Sequence, residues 1–264
     1  MNVLERLSQS NLVKIPLTLI VYSLYASVLG ACLLPSVLLV LQGFLSLVLP
    51  SLLAGILPTF GEAVLFALML GGSFFLFYFF GLLIIGSVMR LFSLPITPGS
   101  HPAASLATLC WMIHSGVYTL AWRLILPLVP MTFFTQMFYR IAGCKIGKNV
   151  WINTNNVLDP YMISIGDNTV VGGEAILSPH VFENGRVTIL PIRIGRNCLI
   201  GGHAYISPGV TIGDGSLIGL RAYIRKGVTV PPGSRILSVA GMSARRTYEV
   251  ERGASRLARG AVKE

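Results

Sequence analysis

The stretch IGRNCL IGGHAY ISPGVT IGDGSL IGLRAY IRKGVT VP, from Ile194 to Pro231, decides the fold. An aliphatic residue opens every hexad, at Ile194, Ile200, Ile206, Ile212, Ile218, Ile224 and Val230. Four places later comes Cys198, Ala204, Val210, Ser216, Ala222 or Val228, each small. A period of six fits neither an amphipathic helix nor a plain alternating strand, so the repeat is built from very short strands separated by turns. Three such strands close a triangular coil, which would stack Ile194, Ile212 and Val230 at the interstrand spacing of about 4.8 Å. Gly195, Gly201, Ser207, Gly213 and Gly219 follow the aliphatic positions, where the chain is expected to turn its corners. The spacing gives a β-solenoid but not its hand, and parallel crossovers are normally right-handed.

The remaining composition points to lipid. Of 264 residues, 53% are hydrophobic and only 11% charged, more apolar than an ordinary soluble domain. No charge falls between Lys14 and Glu62, and none from Ala63 to Met89. Both runs exceed the roughly 20 residues that cross a bilayer. The first, Ile15 to Phe60, is expected to hold one span, with a break near Pro35 or a second span as the alternative, and a buried extension ending around Pro50. The second, VLFALMLGGSFFLFYFFGLLIIGSVM, reads as a further span. The N-terminus lacks the short apolar core and small-residue cleavage site of a signal peptide, so these segments are expected to be retained. Arg6 and Lys14 precede the first run, and Arg90, Arg123 and Arg140 follow the second. The positive-inside bias then places both ends in the cytoplasm, as expected of a multi-pass protein of the inner membrane with its C-terminal domain on the cytoplasmic side. A third span would reverse one end.

The net charge of +10 gathers partly in Arg245, Arg246, Arg252, Arg256, Arg259 and Lys263. Such a tail is either a solvated end or a contact for anionic headgroups or substrate phosphates. No nucleic-acid motif accompanies it. Cys32, Cys110, Cys144 and Cys198 show no CxxC spacing, so neither a zinc site nor a disulfide framework is indicated.

Four regions follow: a transmembrane anchor at 1–95, interfacial amphipathic helices at 96–141, the solenoid at 142–240 and the basic tail at 241–264. The Pro/Gly-punctuated segment SLPITPGSHPAAS links the first two. His101 and His114 read as interfacial polar residues. The solenoid opens at Ile146 and continues through Ile152, Leu158, Ile165, Val171 and Leu177; the next clear hexad waits until Ile194. A loop therefore leaves the coil between Leu177 and Pro191, with His180 at its root. Loops thrown off a rigid scaffold are where chemistry tends to sit, and an imidazole is poised for proton transfer near neutrality.

The unit I-G-x-x-[small]-x resembles the hexapeptide repeat of the left-handed β-helix acyltransferases. The fold this implies is an α-helical membrane anchor plus an all-β solenoid, a left-handed parallel β-helix. Sugar O-acetyltransferases of that fold carry a catalytic histidine in a comparable loop before a restart, which here reads Pro191-Ile192-Arg193-Ile194-Gly195. Pro179-His180-Val181-Phe182-Glu183-Asn184-Gly185-Arg186 is similar to the C-terminal transferase-like domains of ε-poly-lysine synthetases, although the adenylation and carrier domains of those enzymes are absent from this sequence. The resemblance implies acyl transfer from acetyl-CoA or another acyl-CoA, without a metal, to a membrane lipid or lipid-linked acceptor. His180 would be the general base, with Glu183 or Glu174 orienting it; Asp159 and Arg186 would bind the acceptor. Gly202, Leu220, Lys226 and Arg245 would line the CoA slot, and a homotrimer would place each site between neighbouring solenoids.

Three other readings compete. A γ-class carbonic anhydrase needs three histidine ligands with a close pair, whereas the solenoid offers only His180 and His203. A non-catalytic trimeric membrane scaffold, or an amide-forming transferase akin to the synthetase domains, keeps the fold with a different role.

Overall fold

The computed structural model describes residues 11–237 and 250–252. Arg245 and the rest of the basic tail's side chains lie outside the described residues.

Two long helices form the apolar half. Helix α1 runs Asn11–Gly43 and continues through a π-helical turn, Phe44–Val48, into Leu49–Leu53. Pro35 does not interrupt it; the irregularity falls instead at the π turn, just ahead of Pro50. Helix α2, Phe60–Ser93, begins with a capping box in which Thr59 and Glu62 satisfy each other's backbone N–H groups. That use explains the one charged side chain between the two apolar runs. The buried Ser36 hydroxyl donates to the Ser73 carbonyl at 2.6 Å, joining α1 to α2. Hydrogen bonds of this kind hold helices together where lipid supplies no hydrophobic drive.

Helix α3, Leu106–Leu124, starts at an N-cap Ser105 whose hydroxyl accepts from the Thr108 N–H. The short helix α4, Phe133–Ile141, follows. Both pack on the rest of the protein rather than lying free. Tyr139 and Phe138 of α4 are fully buried, and Tyr139 donates to the Thr154 carbonyl of the solenoid at 3.2 Å. A side chain at Gly116 of α3 would collide with the Tyr25 ring, so α1 packs tightly on α3 there.

The solenoid has three parallel faces. Residues 145–146, 163–165, 192–194, 211–212 and 229–230 form one face. Strands at 176–177, 205–206 and 223–224 form the second. On the third, strands at 151–152, 170–171, 199–200, 217–218 and 234–236 stack in order, and Val250–Arg252 adds an antiparallel edge. Ile194, Ile212 and Val230 are register partners, as the hexad spacing requires. All seven hexad-opening residues are buried, and so are Cys198, Ala204, Val210, Ser216 and Ala222. Each fully buried aliphatic side chain stabilises the column by about 1.5–3 kcal/mol. Val228, the last small position, is instead partly exposed.

Two expectations need correction. The corners turn three residues after the aliphatic, where φ is positive at Asn197, His203, Gly209, Gly215, Arg221, Gly227 and Gly233. The glycines next to the aliphatics serve close approach: a Cβ at Gly201 would stand 2.6 Å from the Gly219 carbonyl carbon, and one at Gly195 2.7 Å from the Asp214 nitrogen. Secondly, Val157 rather than Leu158 points inward, bridging to Leu177. The extra residue of this coil is absorbed at Asp159, whose φ of 45° and ψ of 62° lead into a single 3-10 turn, Pro160–Met162.

The excursion after Leu177 is a β-hairpin. His180–Glu183 pairs antiparallel with Arg186–Ile189, and Asn184 and Gly185 both take positive φ, as a two-residue hairpin turn requires. Gly99–Pro102, in the segment expected to be a plain linker, adds a third strand against Arg186–Ile189.

Candidate functional site

Asp159 and His180 meet although 21 residues separate them. The unusual turn at Asp159 turns its carboxylate inward, where it is 2% exposed. The hairpin brings the imidazole down to it, and His180 Nδ1 bonds Asp159 Oδ2. A non-glycine residue held at positive φ ahead of a proline stores strain, a frequent feature of functional positions. With Nδ1 donating to the carboxylate, Nε2 is left as the basic nitrogen. Burial works to lower the His180 pKa, but the hydrogen bond and charge of Asp159 outweigh it and hold the group above its ordinary 6.5.

Helix α3 closes the other side. Trp111 Nε1 donates to Asp159 Oδ1 at 3.1 Å, and the Trp111 ring stands edge-on to His180 with centroids 4.8 Å apart. His114 is fully buried, its Nδ1 3.7 Å from Asp159 Oδ1. A cavity of about 330 Å³ lies between α3 and the solenoid, lined by His114, Ser115, Tyr118, Thr119, Trp122, Asn156, Leu158, Asp159 and His180. Trp122 Nε1 donates to the Asn156 side-chain oxygen at 3.1 Å, fixing one wall.

The carboxylate bonded to His180 is thus Asp159, not Glu183 or Glu174. Glu183 pairs with Lys226 across to a late coil, and Glu174 accepts from the Asn156 amide at 3.1 Å. Neither is hydrogen-bonded to His180. Arg186, expected at the acceptor, reaches the opposite way: its Nε donates to the Ser100 hydroxyl at 2.9 Å and its terminal nitrogen to the Ser100 carbonyl at 2.7 Å. It clasps the hairpin to the Gly99–Pro102 strand. His114 and Trp111 were missed as site residues because their role depends on how α3 docks, although their i, i+3 spacing does place them on one helix face.

Of the residues expected to line a CoA slot, Gly202 and Leu220 adjoin: a Cβ at Gly202 would sit 3.4 Å from Leu220 Cδ1. Leu220 is 58% exposed, which suits contact with an apolar part of a ligand. The Lys226–Glu183 pair carries this coil against the hairpin. Arg245 lies outside the described residues. His203 is a corner residue at positive φ, apart from the pair. No group of three or more His, Cys, Asp or Glu able to hold a metal ion occurs among the described residues. Burial pushes the Cys144 thiol up to about 12 and raises that of Cys198, so neither offers a thiolate near neutrality.

A family model described as the hexapeptide repeat of succinyl-transferase matches residues 191–219 and 209–236. No curated protein matches. Among solved structures, a hexapeptide-repeat acetyltransferase from Vibrio cholerae is 23% identical over 42% of this chain and 62% of its own, with a TM-score of 0.35. This chain therefore spans about three fifths of that relative's length. A galactoside acetyltransferase in complex with coenzyme A is 22% identical over 58% of this chain and 86% of its own, with a TM-score of 0.41. A maltose O-acetyltransferase from Clostridium difficile 630 is 18% identical over 58% and 91%, with a TM-score of 0.40. The matched segment, residues 191–236, lies within the coils that close into three stacked parallel faces, so this part of the chain carries a hexapeptide repeat folded as a β-helix, beside long apolar helices.

Proposed function

We propose that the chain is a membrane-anchored acyltransferase that moves an acyl group, most simply acetyl, from acyl-CoA to a hydroxyl or amine of a membrane-associated acceptor. The observation that carries this reading is the Asp159–His180 pair opening onto a cavity between a hexapeptide-repeat solenoid and an apolar helix. His180 Nε2 accepts the acceptor's proton as its oxygen or nitrogen attacks the thioester carbonyl. The C–S bond breaks, the new ester or amide forms, and protonated His180 passes the proton to the departing thiolate, releasing the free thiol. Asp159 holds the imidazole in the required tautomer and stabilises its protonated form.

Among the described residues, the cavity lining contains no Lys or Arg. It suits the uncharged, hydroxyl-bearing part of an acceptor better than a phosphate. Among the described residues, three helices are long and apolar enough to cross a membrane: Thr18–Leu53, Phe60–Ser93 and Leu106–Leu128. In the arrangement we propose, the first two span the inner membrane, while α3 rests at the cytoplasmic interface against the solenoid. Its contacts with Asp159, Asn156 and His180 support that placement. Trp151 and Leu199 are about half exposed on one solenoid face, which supports a trimer that covers them.

The test uses purified protein, radiolabelled acetyl-CoA and lipid and glycan extracts from cells lacking the gene. His180→Ala is expected to lower label transfer by about 10²–10⁴-fold, as for loss of a general base. Full transfer by that variant would favour the scaffold reading instead. Mass spectrometry of the same extracts identifies the acceptor as the species that loses an acyl group without the gene.

A further inference from the structure

The most costly side chain near the site is His114. Its imidazole is fully buried, yet neither ring nitrogen has a hydrogen-bond partner. Tyr161 packs edge-on against it, ring centroids 4.9 Å apart and planes at 78°. A phenyl ring would fill the same space without leaving two polar atoms unpaired. Packing alone therefore does not account for a histidine here.

What the ring does face is Asp159. Oδ2 of that carboxylate is taken by His180. Oδ1 accepts from Trp111 at 3.1 Å and has His114 Nδ1 3.7 Å away. Such a distance is too long for a hydrogen bond but short for a charge–dipole contact in a site with little water. Trp111 and His114, one turn apart on α3, thus approach the same oxygen.

We propose that His114 is a positioning residue for the Asp159–His180 pair, its Nδ1–H acting on the carboxylate oxygen that the base does not use. This rests on the acyltransferase reading and adds that α3 supplies part of the proton-transfer machinery. An N–H dipole aimed at Oδ1 draws negative charge away from Oδ2. Asp159 then stabilises protonated His180 less, and the base gives up its proton more readily. The titratable groups facing the carboxylate are His114 and Tyr118 from α3, Tyr161 from the 3-10 turn and His180 from the hairpin.

The full-length protein in detergent, labelled with ¹⁵N-histidine, allows His180 to be titrated directly by NMR, its signal assigned by its loss in His180→Ala. In His114→Phe the His180 midpoint is expected to rise by about half a pH unit. The acid limb of acetyl transfer to membrane lipid extract should rise with it, and transfer near neutrality should fall by up to about three-fold. His114→Asn, whose amide nitrogen can stand where Nδ1 stood, is expected to restore the midpoint. Should His114→Phe not fold, His114→Gln replaces it, since its amide reaches the Nε2 position and leaves Oδ1 with the Trp111 bond but without the Nδ1–H dipole.

An unchanged midpoint in the Phe or Gln variant overturns the proposal. So does an equal shift in the Asn variant together with a lower Tm, which marks a packing role. If the wild type transfers no acetyl group while the midpoints move as stated, the acyltransferase reading fails and the positioning contact stands.

Discussion

At the scale of single residues, the site reduces to which carboxylate holds His180. Asp159→Asn leaves burial as the main influence on the imidazole, so its pKa should fall from above 6.5 to below it. The acid limb of kcat/KM should move to lower pH while the plateau drops by about 10²-fold, as the tautomer is no longer enforced. Glu183→Gln, in contrast, removes only a half-exposed ion pair with Lys226, and is expected to keep activity within a few-fold and cost under about 1 kcal/mol. Stability carries the same signature. Because the folded His180 pKa is raised, the contribution of its pair with Asp159 is complete below the unfolded value near 6.5 and fades as pH climbs through the folded value. A thermal scan in detergent at several pH values reads this as a Tm component absent from Asp159→Asn. The sequence motifs singled out His180 as a base and Asp159 as an acceptor ligand. Their contact was not legible, because it depends on a coil that takes its extra residue at Asp159, and a hexad count cannot locate that insertion to within one position. The nearer glutamates in sequence proved to be farther in space.

At the scale of elements, the hexad repeat specified the coil well, because an aliphatic column is a direct consequence of period and burial. It also misled about the glycines. Those beside the aliphatic residues lie under the next coil, while the left-handed corners tolerate asparagine, histidine and arginine. Gly201→Ala is therefore expected to destabilise by about 1–3 kcal/mol through overpacking, even though alanine removes no favoured torsion. Gly215→Ala meets open space but a φ of +69°, and should cost about 1–2 kcal/mol through backbone strain alone. Comparing Tm for the two separates crowding from torsion: wild-type Tm in Gly201→Ala would show that the coils can part. The hairpin was visible only as an interruption, although Asn184-Gly185 is the dipeptide that a tight hairpin favours. Its third strand was hidden, since a segment rich in proline and glycine gives little sign of pairing.

Over the whole molecule, the apolar runs and the repeat were readable separately, and their junction was not. Nothing periodic announces that α3 lays Trp111, His114 and Trp122 against the solenoid, because those contacts join residues more than thirty positions apart. The protein is expected to stay with the membrane fraction through high-salt and alkaline washes; release by salt alone would mean that charge rather than α1 and α2 retains it. The strand Gly99–Pro102, joined to the hairpin by backbone bonds and by Arg186, begins six residues after α2 ends at Ser93. The segment that holds the imidazole is thereby leashed to a helix long and apolar enough to stand in a bilayer. Any change of tilt as membrane thickness varies would tug on the arm carrying the base, so turnover in vesicles should depend on acyl-chain length, and Arg186→Ala should blunt that dependence.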